Sequence, residues 1–346
     1  MTLLEVTDLR VAFSTEDGLL RAVDGVSFAL DAGEVLAIVG ESGSGKSVTV
    51  MTLLGLTRGP RTLVEGSARL LGRELLTAGE AELRHVRGAE VGMVFQDPMS
   101  SLNPVQRVGD QIAEQIRAHD ASVTRAQARE RAVELMERVA IPHARARARA
   151  YPHEFSGGMR QRAMIAMALS CSPRMLIADE PTTALDVTVQ AQILDQLRRI
   201  VADSETGIIL VTHDLGVVAD IADRVAVMYA AEIVESGTVN EVFYDPQHPY
   251  TWGLLGSIAR VDDARADRLP TISGAPPSLL RAPSGCRFGP RCPHRFDRCS
   301  LLPPLEARVG LATGHLDRCW LEVAEKRRRR VVDGQIGLAA EGSVIA

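Results

Sequence analysis

Chemistry is most visible in Gly40-Glu41-Ser42-Gly43-Ser44-Gly45-Lys46-Ser47, where a glycine is separated by four residues from Gly-Lys-Ser. Glycines at this spacing let the backbone curl until successive N–H groups point at phosphates, and the helix that follows adds its dipole. Lys46 then reaches the β- and γ-phosphates of a nucleoside triphosphate, and the Ser47 hydroxyl binds its Mg2+. The expected nucleotide contacts are Gly40, Ser42, Gly43, Ser44, Gly45, Lys46, Ser47 and Val48. Met175-Leu176-Ile177-Ala178-Asp179-Glu180 supplies what such a loop lacks, an apolar strand that delivers Asp179 to Mg2+ and Glu180 to the attacking water. Gln96, in Val94-Phe95-Gln96-Asp97-Pro98, offers a neutral amide to Mg2+ or that water, and His213, after Leu210-Val211-Thr212, offers a hydrogen bond to the γ-phosphate. Singly, these residues read as a strand-end pair, a surface amide and a structural histidine. Beside the phosphate loop they form a hydrolytic site.

A second phosphate-binding element follows in Phe155-Ser156-Gly157-Gly158-Met159-Arg160-Gln161-Arg162. Ser156 reads as a helix N-cap followed by flexible glycines, and a helix start is itself an anion site. One nucleotide rarely needs two such loops, so the second is expected to serve a nucleotide on another subunit.

Positioning these groups requires strands that end together. Glu34 to Val39, Met175 to Ala178 and Gly207 to Thr212 are apolar throughout, as strands buried on both faces are. Short β-branched runs alternate with helical patterns up to about residue 245, which predicts an α/β architecture with a mainly parallel sheet. Residues 105 to 150 are rich in Ala, Arg and Glu and predict a helical insertion spanning about 97–170. Beyond Asp245 the prolines of Asp245-Pro246-Gln247-His248-Pro249, Pro276-Pro277 and Pro303-Pro304 change the texture, and a boundary is expected there. Arg327 to Ala346 reads as a tail. With 46% hydrophobic residues, 24% charged and a net charge of -5, the 346-residue chain has the composition of a soluble globular protein. Its mildly acidic balance argues against nucleic acid as a partner. Its apolar runs fall short of the roughly 18 residues of a spanning helix, and its first residues lack a signal-peptide pattern.

The ordered set of Gly40, Gln96, Ser156-Gly157-Gly158, Met175 to Glu180, Ala184-Leu185-Asp186 and His213 resembles the ATP-binding subunits of ABC transporters over about the first 240 residues. That resemblance implies a P-loop NTPase cassette: a parallel-sheet core, an antiparallel β subdomain and a helical subdomain. It also implies that two cassettes pair head to tail around two ATP molecules, with Ser156, Gly157, Gly158 and Met159 gripping ATP on the partner. Asp186 would lie in a loop between the subunits, and Phe13 would stack on adenine. Phe95 to Pro104, Tyr151 to Arg162 and His248-Pro249-Tyr250-Thr251 resemble the dipeptide and oligopeptide importers more narrowly. Met159 stands where ABC proteins in general usually have Gln, and looks like this branch. The branch implies a second, related ATPase as heterodimer partner, two permease subunits, an external solute-binding protein and a place on the cytoplasmic face of the membrane. Relatives in it import nickel complexes or other small solutes.

Cys286, Cys292, Cys299 and Cys319 cluster near the C-terminus, while Cys171 stands apart in an apolar helical run. Four thiols in a reducing compartment favour metal over disulfides, and tetrahedral thiolates hold either zinc or an iron–sulfur cluster, with unmetallated thiols as the remaining alternative. The resemblance to the C-terminal region of peptide-importer ATPases implies a 4Fe-4S cluster within a small Cys-rich C-terminal domain, residues 246–326. Neighbouring Arg287, Arg291, Arg295 and Arg298 are expected to offset the thiolate charge.

Overall fold

The structure is a computed structural model and describes residues 1–97, 101–183, 186–257, 272–312 and 314–332. Pro98 to Ser100, Ala184-Leu185 and the tail beyond 332 lie outside the described residues. The strands are β1 Thr2–Thr15, β2 Gly18–Asp31, β3 Val35–Val39, β4 Thr62–Leu70, β5 Arg73–Glu74, β6 Val91–Val94, β7 Met175–Asp179, β8 Gly207–Thr212, β9 Arg224–Tyr229, β10 Glu232–Thr238, β11 Glu306–Ala307 and β12 Leu316–Asp317.

Two sheets result. β2-β1-β4-β5 is antiparallel, with β1 and β2 joined across Glu16-Asp17 as a long hairpin. The larger sheet runs β11-β12-β10-β9-β3-β8-β7-β6, and its five strands from β9 to β6 are parallel. Every residue of β3, β7 and β8 is buried, because helices or the antiparallel sheet cover both faces. β3, β7 and β8 coincide with the three apolar runs, within a residue at their ends.

The chain between β6 and β7 forms helices Val108–His119, Arg125–Arg138, Ala144–Arg147 and Gly157–Ala168. Arg125–Arg138 starts at Thr124, whose hydroxyl and backbone exchange hydrogen bonds with Gln127 in a capping box. Val108, Ile112, Ala128, Ala132 and Met136 bury their stripe in one core with Ile165, Leu176 and Ile208, which fixes the helices to the sheet.

The chain beyond 245 does not stand off from the rest. β12 pairs with β10 and β11 with β12, so residues after 300 extend the sheet that β3 centres. Buried Glu235 of β10 accepts hydrogen bonds from the Gln247 and His248 N–H groups and meets the His315 ring at 2.8 Å. Lys326 and Asp317 form a fully buried ion pair at 2.7 Å. Where the sequence suggests a tail from Arg327, helix Val323–Val332 continues, and Arg327 and Arg330 both pair with Asp245. Among the described residues, no helix is long and apolar enough to cross a membrane.

Candidate functional site

β3 ends at Val39 and the chain turns through Gly40, φ 150°, and Gly45, φ 106°, into helix Lys46–Leu53. Both glycines are forced by close approach as well as by φ. A Cβ on Gly40 would sit 2.1 Å from the Met228 carbonyl oxygen, and one on Gly45 2.3 Å from that of Ala22. Lys46 is buried and donates to the Gly40 and Glu41 carbonyls at 2.8 and 3.0 Å. Burial lowers its pKa, against the pull of Glu180, Asp179 and Glu41. The Ser47 hydroxyl donates to Asp179, 3.0 Å away at the end of β7. Burial raises the Asp179 pKa, and neighbouring Glu180 adds to it. A triphosphate would favour the ammonium and a divalent cation the carboxylate, so each group suits the ligand expected of it. The half-buried Val48 side chain packs on the core beneath the antiparallel sheet.

Glu180 has φ 48°, a left-handed conformation that costs a non-glycine residue about 1 kcal/mol or more. Its N–H donates to the Val211 carbonyl of β8 at 2.8 Å. Its carboxylate accepts from Gln96 and from Thr183, each at 2.9 Å, and lies 3.3 Å from the His213 ring. Gln96, Glu180 and His213 thus arrive from the ends of three adjacent parallel strands, β6, β7 and β8. With Gly40, Glu41 and Ser42 they line one cavity of about 430 Å³. The group can hold a water beside a phosphate and polarise it. Thr183 carries no mark in the sequence beyond the three-residue step from Glu180.

Ser156 caps helix Gly157–Ala168, accepting from the Met159 N–H at 3.3 Å. Ser156 and Gly157 are exposed, and residues 156–159 are absent from the lining of the Gly40 cavity. Asp186 is also exposed and caps helix Val187–Ser204 through the Val189 N–H. Phe13 lies on β1, half-buried against the core of the antiparallel sheet.

Cys286, Cys292, Cys299 and Cys319 line one small cavity with Phe288, His294 and Trp320 among its other walls. All are free thiols, as is Cys171, half-buried beside the Gln115 carbonyl. Burial pushes the pKa of Cys292 and of Cys319 up to about 12 and raises that of Cys286. Among the described residues, no three His, Cys, Asp or Glu side chains meet closely enough for a single metal ion. Three of the four arginines beside these cysteines have other partners. Arg287 pairs with Asp24 and Glu232 and donates to the Ala230 carbonyl, Arg291 reaches Glu41, and Arg298 lies 3.9 Å over the Trp320 ring.

Comparison with known proteins adds a second line. The ABC transporter family matches residues 23–183, and the family described as oligopeptide/dipeptide transporter, C-terminal region, matches residues 234–299. The chain is 53% identical to the oligopeptide transport ATP-binding protein OppD of Salmonella typhimurium, over 93% of this chain and 95% of that one. It is 54% identical to the dipeptide transport ATP-binding protein DppD of Lactococcus lactis, over 83% and 82%. In fold it matches a dimeric ATP-binding cassette solved with ADP and Pi, with a TM-score of 0.62, 24% identity and coverage of 68% of this chain and 98% of that one.

Proposed function

The chain belongs to the family of ABC transporter ATP-binding proteins of the oligopeptide and dipeptide type, and we propose that it is the ATP-hydrolysing subunit that powers peptide import across the cytoplasmic membrane. The observation that carries this reading is Glu180, strained and held by Gln96, Thr183 and His213 at the mouth of the Gly40–Ser47 loop. Loop N–H groups and Lys46 bind the phosphates, and Ser47 and Asp179 would hold Mg2+, assisted by Gln96. Mg2+ held there would supply neutralising charge to the phosphates. Glu180 accepts the hydrogen bond of the attacking water, Gln96 fixes the carboxylate, and His213 donates to the γ-phosphate. Phe13 presents its partly open ring to adenine.

Exposure of Ser156 and Gly157 supports pairing with another cassette, so that Ser156 to Met159 close on the partner's ATP and Asp186 faces the interface. The partner would be a second, related ATPase. Two permeases and an external peptide-binding protein complete the assembly, with this chain peripheral on the cytoplasmic face. Residues 1–245 form its cassette, and residues 246–326 a cysteine-rich unit fastened to it.

Four thiols on one cavity fit a 4Fe-4S cluster, which spreads its thiolates further apart than zinc does. Cys286, Cys292, Cys299 and Cys319 would hold it, losing their protons on binding. Iron and sulfide in anaerobically purified protein test this, and stoichiometric zinc without iron would sink it.

For the main reading, the chain is purified from membranes with its companions and ATP turnover is measured as peptides are added. Stimulation by di- or oligopeptides is expected. Stimulation by nickel complexes alone would move the solute, and recovery with ribosomes or DNA in place of permeases would overturn transport.

A further inference from the structure

Glu41 puts a carboxylate inside a loop whose task is to bind phosphate. The loop's only cationic side chain, Lys46, already faces Asp179 and Glu180, and a third negative charge there opposes an incoming triphosphate. Asp179 and Glu180 have roles that repay their charge; Glu41 has none. Its partner comes from 250 residues away: Arg291 donates to both Glu41 carboxylate oxygens, at 2.7 and 3.1 Å.

This arginine is built in, not draped over the surface. Its side chain is 5% exposed, and the remaining N–H groups donate to the Tyr229 hydroxyl and to the Ile272 and Ser273 carbonyls. All five donors of the guanidinium are therefore engaged, a geometry that a lysine cannot reproduce. The Glu41 backbone is held from the same side, its N–H donating to the Tyr250 hydroxyl at 2.9 Å. Tyr229, Tyr250 and Phe288 pack ring to ring behind this contact.

We propose that Arg291 is a positioning residue for the nucleotide site: it masks the Glu41 charge and draws that side chain aside, so that the phosphate loop accepts a triphosphate. The inference rests on the nucleotide reading above and adds a component from beyond the cassette.

Equilibrium binding of Mg·ATP to the full chain tests it. Arg291→Gln keeps donors for the neighbouring carbonyls but leaves Glu41 bare, and should weaken binding about tenfold. Glu41→Gln alone should bind within about twofold of the parent, and the double variant should recover to that level. A strut that merely holds the fold would not be restored by a second change at Glu41. Exposed Arg295, on the same segment, controls for loss of a positive charge, and Arg295→Gln should bind as the parent does.

Arg291→Gln binding as tightly as the parent would overturn the masking, and so would a double variant as weak as Arg291→Gln. Should Arg291→Gln fail to fold, Glu41→Asp decides. It shortens the carboxylate out of bidentate reach while keeping its charge, and unchanged affinity would overturn the proposal. A parent chain that binds no ATP would overturn the nucleotide reading itself, an outcome distinct from these.

Discussion

Around the phosphate loop, each reactive group stands at the end of a buried parallel strand: Gln96 after β6, Asp179 and Glu180 at β7, His213 after β8. Around the four cysteines, the walls are mostly short loops with one turn of 3-10 helix at Asp297–Ser300, tied down by backbone contacts such as Cys286 N–H to the Cys299 carbonyl. The first region draws its precision from neighbours in the sheet. The second draws it from buried charge pairs, Arg287 with Asp24 across to the cassette and Lys326 with Asp317 within the C-terminal region itself. Strand ends place chemistry by local rules, whereas loops place it only once distant partners have docked.

That contrast can be attacked directly. Glu180→Gln should lower ATP turnover of the assembled transporter by about 10²–10⁴-fold while ATP affinity holds, since the change removes one carboxylate and no scaffold. Steady-state hydrolysis beside equilibrium ATP binding checks it, and undiminished turnover would break the strand-end assignment. On the loop side, Lys326→Met leaves buried Asp317 with only Arg308, 3.5 Å away, and should cost about 3 kcal/mol of stability by denaturant melting. A variant as stable as the parent would show that charge pairs do not hold the C-terminal region.

The strand ends were legible in the sequence because each lies a fixed step after an apolar run. Lys46, Ser47, Asp179, Glu180, Gln96 and His213 could be read that way, and the structure draws Ser47 to Asp179, and Gln96 and His213 to Glu180. Arg291 and Tyr250 could not, because nothing local marks a residue whose partner lies 250 or 209 positions away. The Arg327 to Arg330 block misled for a related reason. Charge runs are usually solvated, but here Asp245 stands opposite Arg327 and Arg330.

A smaller effect follows from His248, which caps helix Pro249–Gly256 and is buried with its pKa pushed down to about 3, by burial first and then by Lys326 and Arg318. The folded chain resists a proton that the unfolded chain accepts near pH 6.5. Stability should therefore fall as pH drops below that value toward about 3, by about 1.4 kcal/mol at pH 5.5. His248→Asn should remove this part of the slope, and unfolding midpoints across pH 7.5 to 5.5 would show it; parallel curves would deny His248 the role. Smallest of all, Phe13→Ala should weaken ATP binding by about 0.5–1.5 kcal/mol if its ring stacks on adenine. Equal affinities in the same titration would leave Phe13 a core residue alone.

The contact between Glu41 and Arg291 also imposes an order on synthesis. A ribosome makes the Glu41 side chain 250 residues before its guanidinium partner. Nascent chains, and chains truncated before Arg291, carry the loop with its carboxylate bare, and only a polypeptide that reaches past Arg291 brings the two together.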